Sequence, residues 1–363
     1  MRYVVARRIS RRGEGLGNEI FPWAKGYLAS EVLGARLVGP SWGVNPRKYY
    51  RNFGTSRLDF VLEDCLLAAP HFTFTEQDYI ETGELQFDKS IRQWVRKKGL
   101  MEKSSFILSV DGMYGGYPAI QNARNFIRSK LLCSRDALRK TYEVASTLDP
   151  SKLFVGVHMR GTHGFSVPDP TEDVRSRFNI VVPGAWYMSA CAALRDMFGD
   201  KIQFHFFTDR GGPEYDAAVA EFNPGQKRQL GLTECSDLIL LSNADLRLCS
   251  VSSYSLVASF LSEGPYVWYE PQLGFSDGLY SLWSHEKAQL LPSSPSSIAV
   301  AAAKAEAADQ SDGSNFRGYA MADGDDLPTG LVNQLRRRLQ SKIWQSDLLM
   351  YGSLPDWTRC RTR

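Results

Sequence analysis

The sequence predicts an α/β protein of two domains carried on parallel sheets, and three observations predict it. Strand-like and helix-like segments alternate from about residue 154 to residue 270, an order that implies right-handed crossovers and a parallel sheet. The stretch FVGVHMRG at 154 to 161 is apolar without interruption as far as His158, as a strand buried on both faces must be. At 363 residues the chain is too long for one ordinary core. Hydrophobic residues at 43% and charged residues at 23% are ordinary globular values, which excludes wholesale disorder.

The charge excludes some functions. A net charge of +3, with basic residues spread along the chain, gives no footprint for nucleic acid. The apolar runs fall short of the roughly 20 residues that span a bilayer, and the Arg-rich start lacks the apolar region of a signal peptide. No integral membrane segment is expected, and the expected location is the cytoplasm of a bacterium. The six cysteines stand singly, without C-x-x-C spacing, and the five histidines are scattered. No metal site is therefore expected.

Taken in order, residues 2 to 7 read as a first strand, followed by a loop with three glycines and several arginines. Ile20, Trp23, Ala24, Tyr27, Leu28 and Val32 recur at helical spacing over 18 to 33, and Gly34 is a stop. Strand, glycine loop and helix together expose backbone N–H groups to an anion; a tight packing turn would use the same glycines. Residues 41 to 104 are irregular and rich in Trp, Tyr, Phe and Arg, which suits a binding surface or an aromatic shell. FILSVDG at 106 to 112 is a strand. After it Ile120, Ala123, Ile127 and Leu131 share one helical face, a further helix runs to about 147, and TLDPSK at 147 to 152 is the expected hinge.

Beyond the central strand, Pro183 opens a helix that Gly199 ends, and QFHFFTD at 203 to 209 is another buried strand. A helix near 213 to 222, the segment DLILLSNAD, the strand LRLCSV, the turn SSYS, a helix to about 262 and a last strand PYVWYE follow. Residues 292 to 330, rich in Ser, Ala, Asp and Gly, read as a mobile excursion around one short helix. Residues 329 to 345 form an amphipathic helix, with Leu331, Leu335, Leu339 and Ile343 on one face, that packs back on the body or meets a partner helix. The expected domains are 1–150, 151–290, and a tail 291–363 of excursion and returning helix.

Three of the second domain's strands end in groups suited to a nucleotide: Arg160, Thr208 with Asp209, and Ser252 with Ser253. Open parallel sheets place ligands at that edge, and a guanidinium offers a planar fork of donors that keeps its charge. Two plainer readings compete. Arg160 could pair with a surface carboxylate, and the serines could be helix caps.

These motifs resemble, in order over residues 2 to 270, those of the fucosyltransferase superfamily. GLGNEIFPWAKGYLASEVLG at 15 to 34 resembles the glycine–asparagine motif of α1,2-fucosyltransferases. VGVHMRG at 155 to 161 resembles the H-x-R-R motif shared with α1,6- and protein O-fucosyltransferases, and FFTD at 206 to 209 and CSVSSYSLVASFLSEG at 249 to 264 resemble later motifs. The resemblance implies a GT-B-like fold of two Rossmann-like domains facing a central cleft, the first on the acceptor side and the second binding GDP. It implies an inverting transfer of fucose from GDP-fucose to a hydroxyl of a glycan or small-molecule acceptor, without cofactor or metal. The donor residues carried over are Gly15, Gly17, Asn18, His158, Arg160, Thr208, Asp209, Ser252, Ser253 and Tyr254. Gly161 replaces the motif's second arginine and His163 its aspartate, which leaves open another GDP-hexose as donor, or an inactive nucleotide-sugar-binding protein.

Transfer of this kind needs positive charge where the leaving diphosphate gathers negative charge, a role for Arg160 and backbone amides. It also needs a base for the incoming hydroxyl. Glu14 resembles a glutamate preceding the same motif in some protein O-fucosyltransferases, and Asp169, Glu172 and Asp173 are rivals; each could equally be a solvated loop charge.

Overall fold

The computed structural model describes residues 1–7, 15–39, 49, 57–161, 181–209, 211–226, 234–270 and 318–349. Among them the chain divides into two compact units, one within Met1–Arg135 and one from Asp136 onward.

Each unit is built on one parallel sheet. The first joins β1 (Arg2–Ala6), β2 (Arg36–Val38), β3 (Phe72–Phe74) and β4 (Phe106–Val110) in the order β2-β1-β4-β3. The second joins β5 (Leu153–Met159), β6 (Ile202–Thr208), β7 (Leu246–Leu248), β8 (Tyr266–Tyr269) and β9 (Gly318–Met321) in the order β6-β5-β7-β8-β9. All seven residues of β5 are buried, which is why its sequence is an apolar run and not an alternation. Gly156 lies within it because a Cβ there would stand 2.7 Å from Leu241 Cδ1 and 3.1 Å from Ala244 Cβ.

The helices follow the expected stops where the chain supplies them. In the first unit α1 (Leu16–Leu33) ends at Gly34, whose φ of 57° is left-handed and suits glycine. The stretch from 57 to 104, expected to be irregular, instead holds α2 (Arg57–Ala68), β3, α3 (Glu76–Thr82) and α4 (Phe87–Lys97). A Thr75/Asp78 capping box starts α3, and Phe87, Ile91, Trp94 and Val95 form the buried face of α4. The single helical face expected over 120 to 131 is divided between α5 (Gly116–Ile120), a 3₁₀ turn at Gln121–Ala123 and α6 (Arg124–Leu131), yet its four apolar residues are all buried.

The second unit contains α7 (Arg135–Ala145), apart from its first residue, and α8 (Gly184–Phe198), α9 (Pro213–Phe222), α10 (Glu234–Ser242), α11 (Ser253–Leu261) and α12 (Thr329–Leu349). Pro183 and Gly199 bound α8 as expected. PYVWYE is not the last strand, because Gly318–Met321, inside the expected excursion, pairs with β8 as β9. The returning helix α12 does pack on the body. Lys342 Nζ lies 2.7 Å from Asp245 Oδ2, and that oxygen also accepts from Phe154 N at 2.8 Å. This clasp sits at the amino end of β5, away from the site.

Candidate functional site

The sheet of the second unit delivers its polar residues where the strands end. β5 and β6 run in register from Leu153 opposite Ile202 to Met159 opposite Thr208, so Arg160 and Asp209, each one residue further on, leave the sheet side by side. Arg160 Nε lies 3.1 Å from Asp209 Oδ2, with the two side chains 26% and 32% exposed. Gly161 N donates to the other oxygen, Oδ1, at 2.6 Å. One carboxylate thus forms an ion pair with the guanidinium and holds the turn after it by a hydrogen bond. The plainer reading of Arg160 is realised in part, since it does pair with a carboxylate; the carboxylate is another candidate site residue. Thr208 Oγ1 accepts from Gly211 N at 3.1 Å and turns the chain toward α9.

His158, two residues before Arg160, is 5% exposed. Its Nδ1 lies 2.6 Å from Ser255 Oγ and 2.9 Å from Ser250 Oγ, and the two hydroxyls are 3.2 Å apart. Tyr187 donates its hydroxyl to His158 O at 3.1 Å. Burial, and then the positive charge of Arg160, push the imidazole down to about 3 against the opposing charge of Asp209. The ring is therefore neutral at ordinary pH.

Ser252 is the cap of α11, its Oγ accepting from Tyr254 N at 3.2 Å, and Ser253 is the first helical residue. The cap reading is right for Ser252. The helix start it fixes lies at the carboxyl end of β7, on the same edge as Arg160 and Asp209. Tyr254 stands beside His158, with ring centroids 5.2 Å apart, and donates its hydroxyl to Glu234 O, which brings the first turn of α10 to that edge. Asp237 lies in this turn. Burial first, then Glu234, raise its carboxyl to about 7, and its Oδ1 is shielded from solvent with no hydrogen-bond partner among the described residues.

Four residues of this cluster escaped the sequence reading: Ser250, Ser255, Tyr187 and Asp237. Asp237 left a signal, an acid at the head of the apolar run DLILL. Ser250 and Ser255 left none, since serine is common in turns and at helix starts.

In the first unit Gly15 is the cap residue of α1, and Asn18 N and Glu19 N bond back to Gly15 O. Gly17 is buried and Asn18 half-buried. Leu16 N donates to Tyr49 Oη at 2.8 Å, so one of the amides expected to meet an anion meets a phenol. Buried Lys25 was also missed. Its Nζ donates to Gly112 O at 3.1 Å and stands 3.1 Å from the Tyr114 ring centre, so it ties α1 to the turn after β4. Glu14, His163, Asp169, Glu172 and Asp173 lie outside the described residues. Among the described residues no three His, Cys, Asp or Glu side chains are grouped to hold a metal, and no helix is long and apolar enough to cross a membrane.

No family model and no curated protein matches the chain. Its similarity to solved structures is at the level of chain course. A crystal structure of POFUT1 in complex with GDP-fucose matches with a TM-score of 0.46 and 14% identity, over 72% of this chain and 95% of that one. The apo form of POFUT1 matches with a TM-score of 0.42 and 13% identity, over 71% and 94%.

Proposed function

We propose that the chain is a glycosyltransferase that takes fucose from GDP-fucose and delivers it to an acceptor hydroxyl with inversion. The observation that carries this reading is the pairing of Arg160 with Asp209 at the carboxyl edge of the second sheet, beside the capped start of α11. A diphosphate there meets a guanidinium kept at the strand end by an ion pair and a helix amino terminus, the two kinds of donor that phosphate recognition uses. Asp237 adds a carboxyl in the first turn of α10, whose carbonyl oxygen can accept from one N–H of guanine. The order of the fucosyltransferase-like motifs along the chain supplies the choice of sugar.

In this reading the second unit binds the donor and the first the acceptor. As the glycosidic C–O bond breaks, electrons pass to the β-phosphate oxygen, and Arg160 and the helix amides stabilise the charge that gathers there. The acceptor oxygen bonds to the anomeric carbon from the opposite face and loses its proton to a base, for which we propose Glu14, with Asp169, Glu172 and Asp173 as rivals. Arg160 stands alone in the motif, and Gly161, in place of a second arginine, donates its amide to Asp209. That favours a second reading, a nucleotide-sugar-binding protein without turnover.

Incubation with radiolabelled GDP-fucose and a panel of acceptors, with hydrolysis followed in parallel, tests the proposal. Release of GDP above the uncatalysed rate supports the enzyme. Stoichiometric binding without release supports the binder, and no interaction with any GDP-sugar contradicts both.

A further inference from the structure

Resting on that reading, we propose that His158 is a positioning residue: through Ser250 and Ser255 it pins the first turn of α11 to the end of β5, which keeps the helix amides in register with Arg160.

The three polar side chains come from three segments, β5, the link after β7, and the first turn of α11, and they are 5%, 1% and 0% exposed respectively. Burying them would be costly if they were left unsatisfied, and they satisfy one another at 2.6 to 3.2 Å. Apolar side chains could fill the same space. What hydrogen bonds add is direction, because a bond to Nδ1 is favourable only in the plane of the ring. Ser255 is the third helical residue of α11, so holding its hydroxyl fixes the angle at which the first turn presents its N–H groups. The strand side is held as well, since Tyr187 bonds the carbonyl of His158 itself. With the ring buried and Nδ1 occupied, His158 acts through the helix, and a role in direct donor contact is not needed to explain it.

The test uses GDP as probe in titration calorimetry, on the full chain, for wild type, Ser255→Ala, Ser250→Ala and Ser255→Thr, with circular dichroism melts to identify folded protein. Ser255→Ala should weaken GDP about tenfold, the scale of one buried hydrogen bond, and Ser250→Ala less, because the shorter bond survives. Ser255→Thr keeps the hydroxyl and should recover most of the loss, which a purely packing role would not predict. Wild-type affinity in both alanine variants, or equal losses in Ser255→Ala and Ser255→Thr, overturns the inference and leaves the proposed function standing. A wild-type protein that ignores GDP overturns both.

Discussion

At the scale of single residues, the site depends on how Asp209 is used. Its two oxygens bind two successive groups of one strand end, the Arg160 side chain and the Gly161 amide. Asp209→Asn keeps the shape but removes the charge, so Arg160 loses the partner that orients it. GDP affinity is expected to fall by up to about fivefold, the scale of a partly exposed ion pair, with the melting temperature little changed for the same reason. Calorimetry and thermal melting check this; unchanged affinity would mean that Asp209 does not position the arginine. The arginine, the aspartate and the serine cap were all legible in the sequence, because each stands where an apolar run ends. The partners of His158 were not. Ser255 is 97 residues away along the chain, and nothing local in SSYS distinguishes a serine that caps a helix from one that reaches a histidine.

At the scale of elements, legibility followed punctuation. Helices ending at Gly34 and Gly199, and strands such as QFHFFT, were readable because glycine at positive φ or continuous apolar character marks them. The elements between 57 and 97 were not readable, since α2 leaves Leu58 and Val61 exposed and buries Glu63, against the apolar-inward pattern of a helix, and the stretch carries few strong breakers. β9 was hidden because four residues, GYAM, belong to the sheet only through β8, to which they return after 48 intervening residues. A further hidden element-level device is Arg247, fully buried at the start of β7. It donates to Ala244 O at 2.9 Å, Pro265 O at 2.8 Å and the Ser259 and Ser262 hydroxyls, which ties the end of α11 to the entry of β8. Arg247→Met should cost about 3 kcal/mol or more by leaving several buried acceptors unsatisfied. Urea unfolding measures it, and a loss under about 1 kcal/mol would contradict this role. Gly156→Ala, crowding Leu241 and Ala244, should cost about 1–3 kcal/mol by overpacking in the same assay.

At the scale of the whole molecule, the buried titratable groups set a pH dependence. His158 and His205 are lowered by burial to about 3 and about 4 from 6.5, so unfolding takes up a proton at each once the pH is below 6.5, and stability is lost as pH falls. Asp237 acts oppositely. Raised to about 7 from 3.8, it is protonated in the folded state and releases its proton on unfolding, so its contribution grows as pH falls. Among these three groups, two against one leaves a net uptake of about one proton, or a loss of about 1.4 kcal/mol per pH unit, between roughly pH 6 and 5. Buried Lys25, held well below its usual value by burial, adds to the uptake wherever it is neutral in the fold. Asp237→Asn removes the opposition and should steepen the loss by about 1.4 kcal/mol per pH unit in urea titrations; an unchanged slope would mean that Asp237 is not protonated in the fold. The reaction itself should continue in excess EDTA, because the charge on the leaving group is assigned to Arg160 and helix amides. Turnover lost to EDTA and restored by a divalent ion would reverse that assignment.

The central claim is that Arg160 carries the leaving diphosphate, and GDP titration calorimetry on folded Arg160→Ala and Arg160→Lys proteins, paired with GDP-fucose turnover, tests it most directly. Arg160→Ala should weaken GDP binding and cut turnover by about 10²-fold or more, the usual scale for one lost electrostatic stabiliser. Arg160→Lys should recover only part of both, since an ammonium keeps the charge and loses the two-pronged geometry. Wild-type GDP affinity in folded Arg160→Ala would contradict the account and leave Arg160 as a purely structural partner of Asp209.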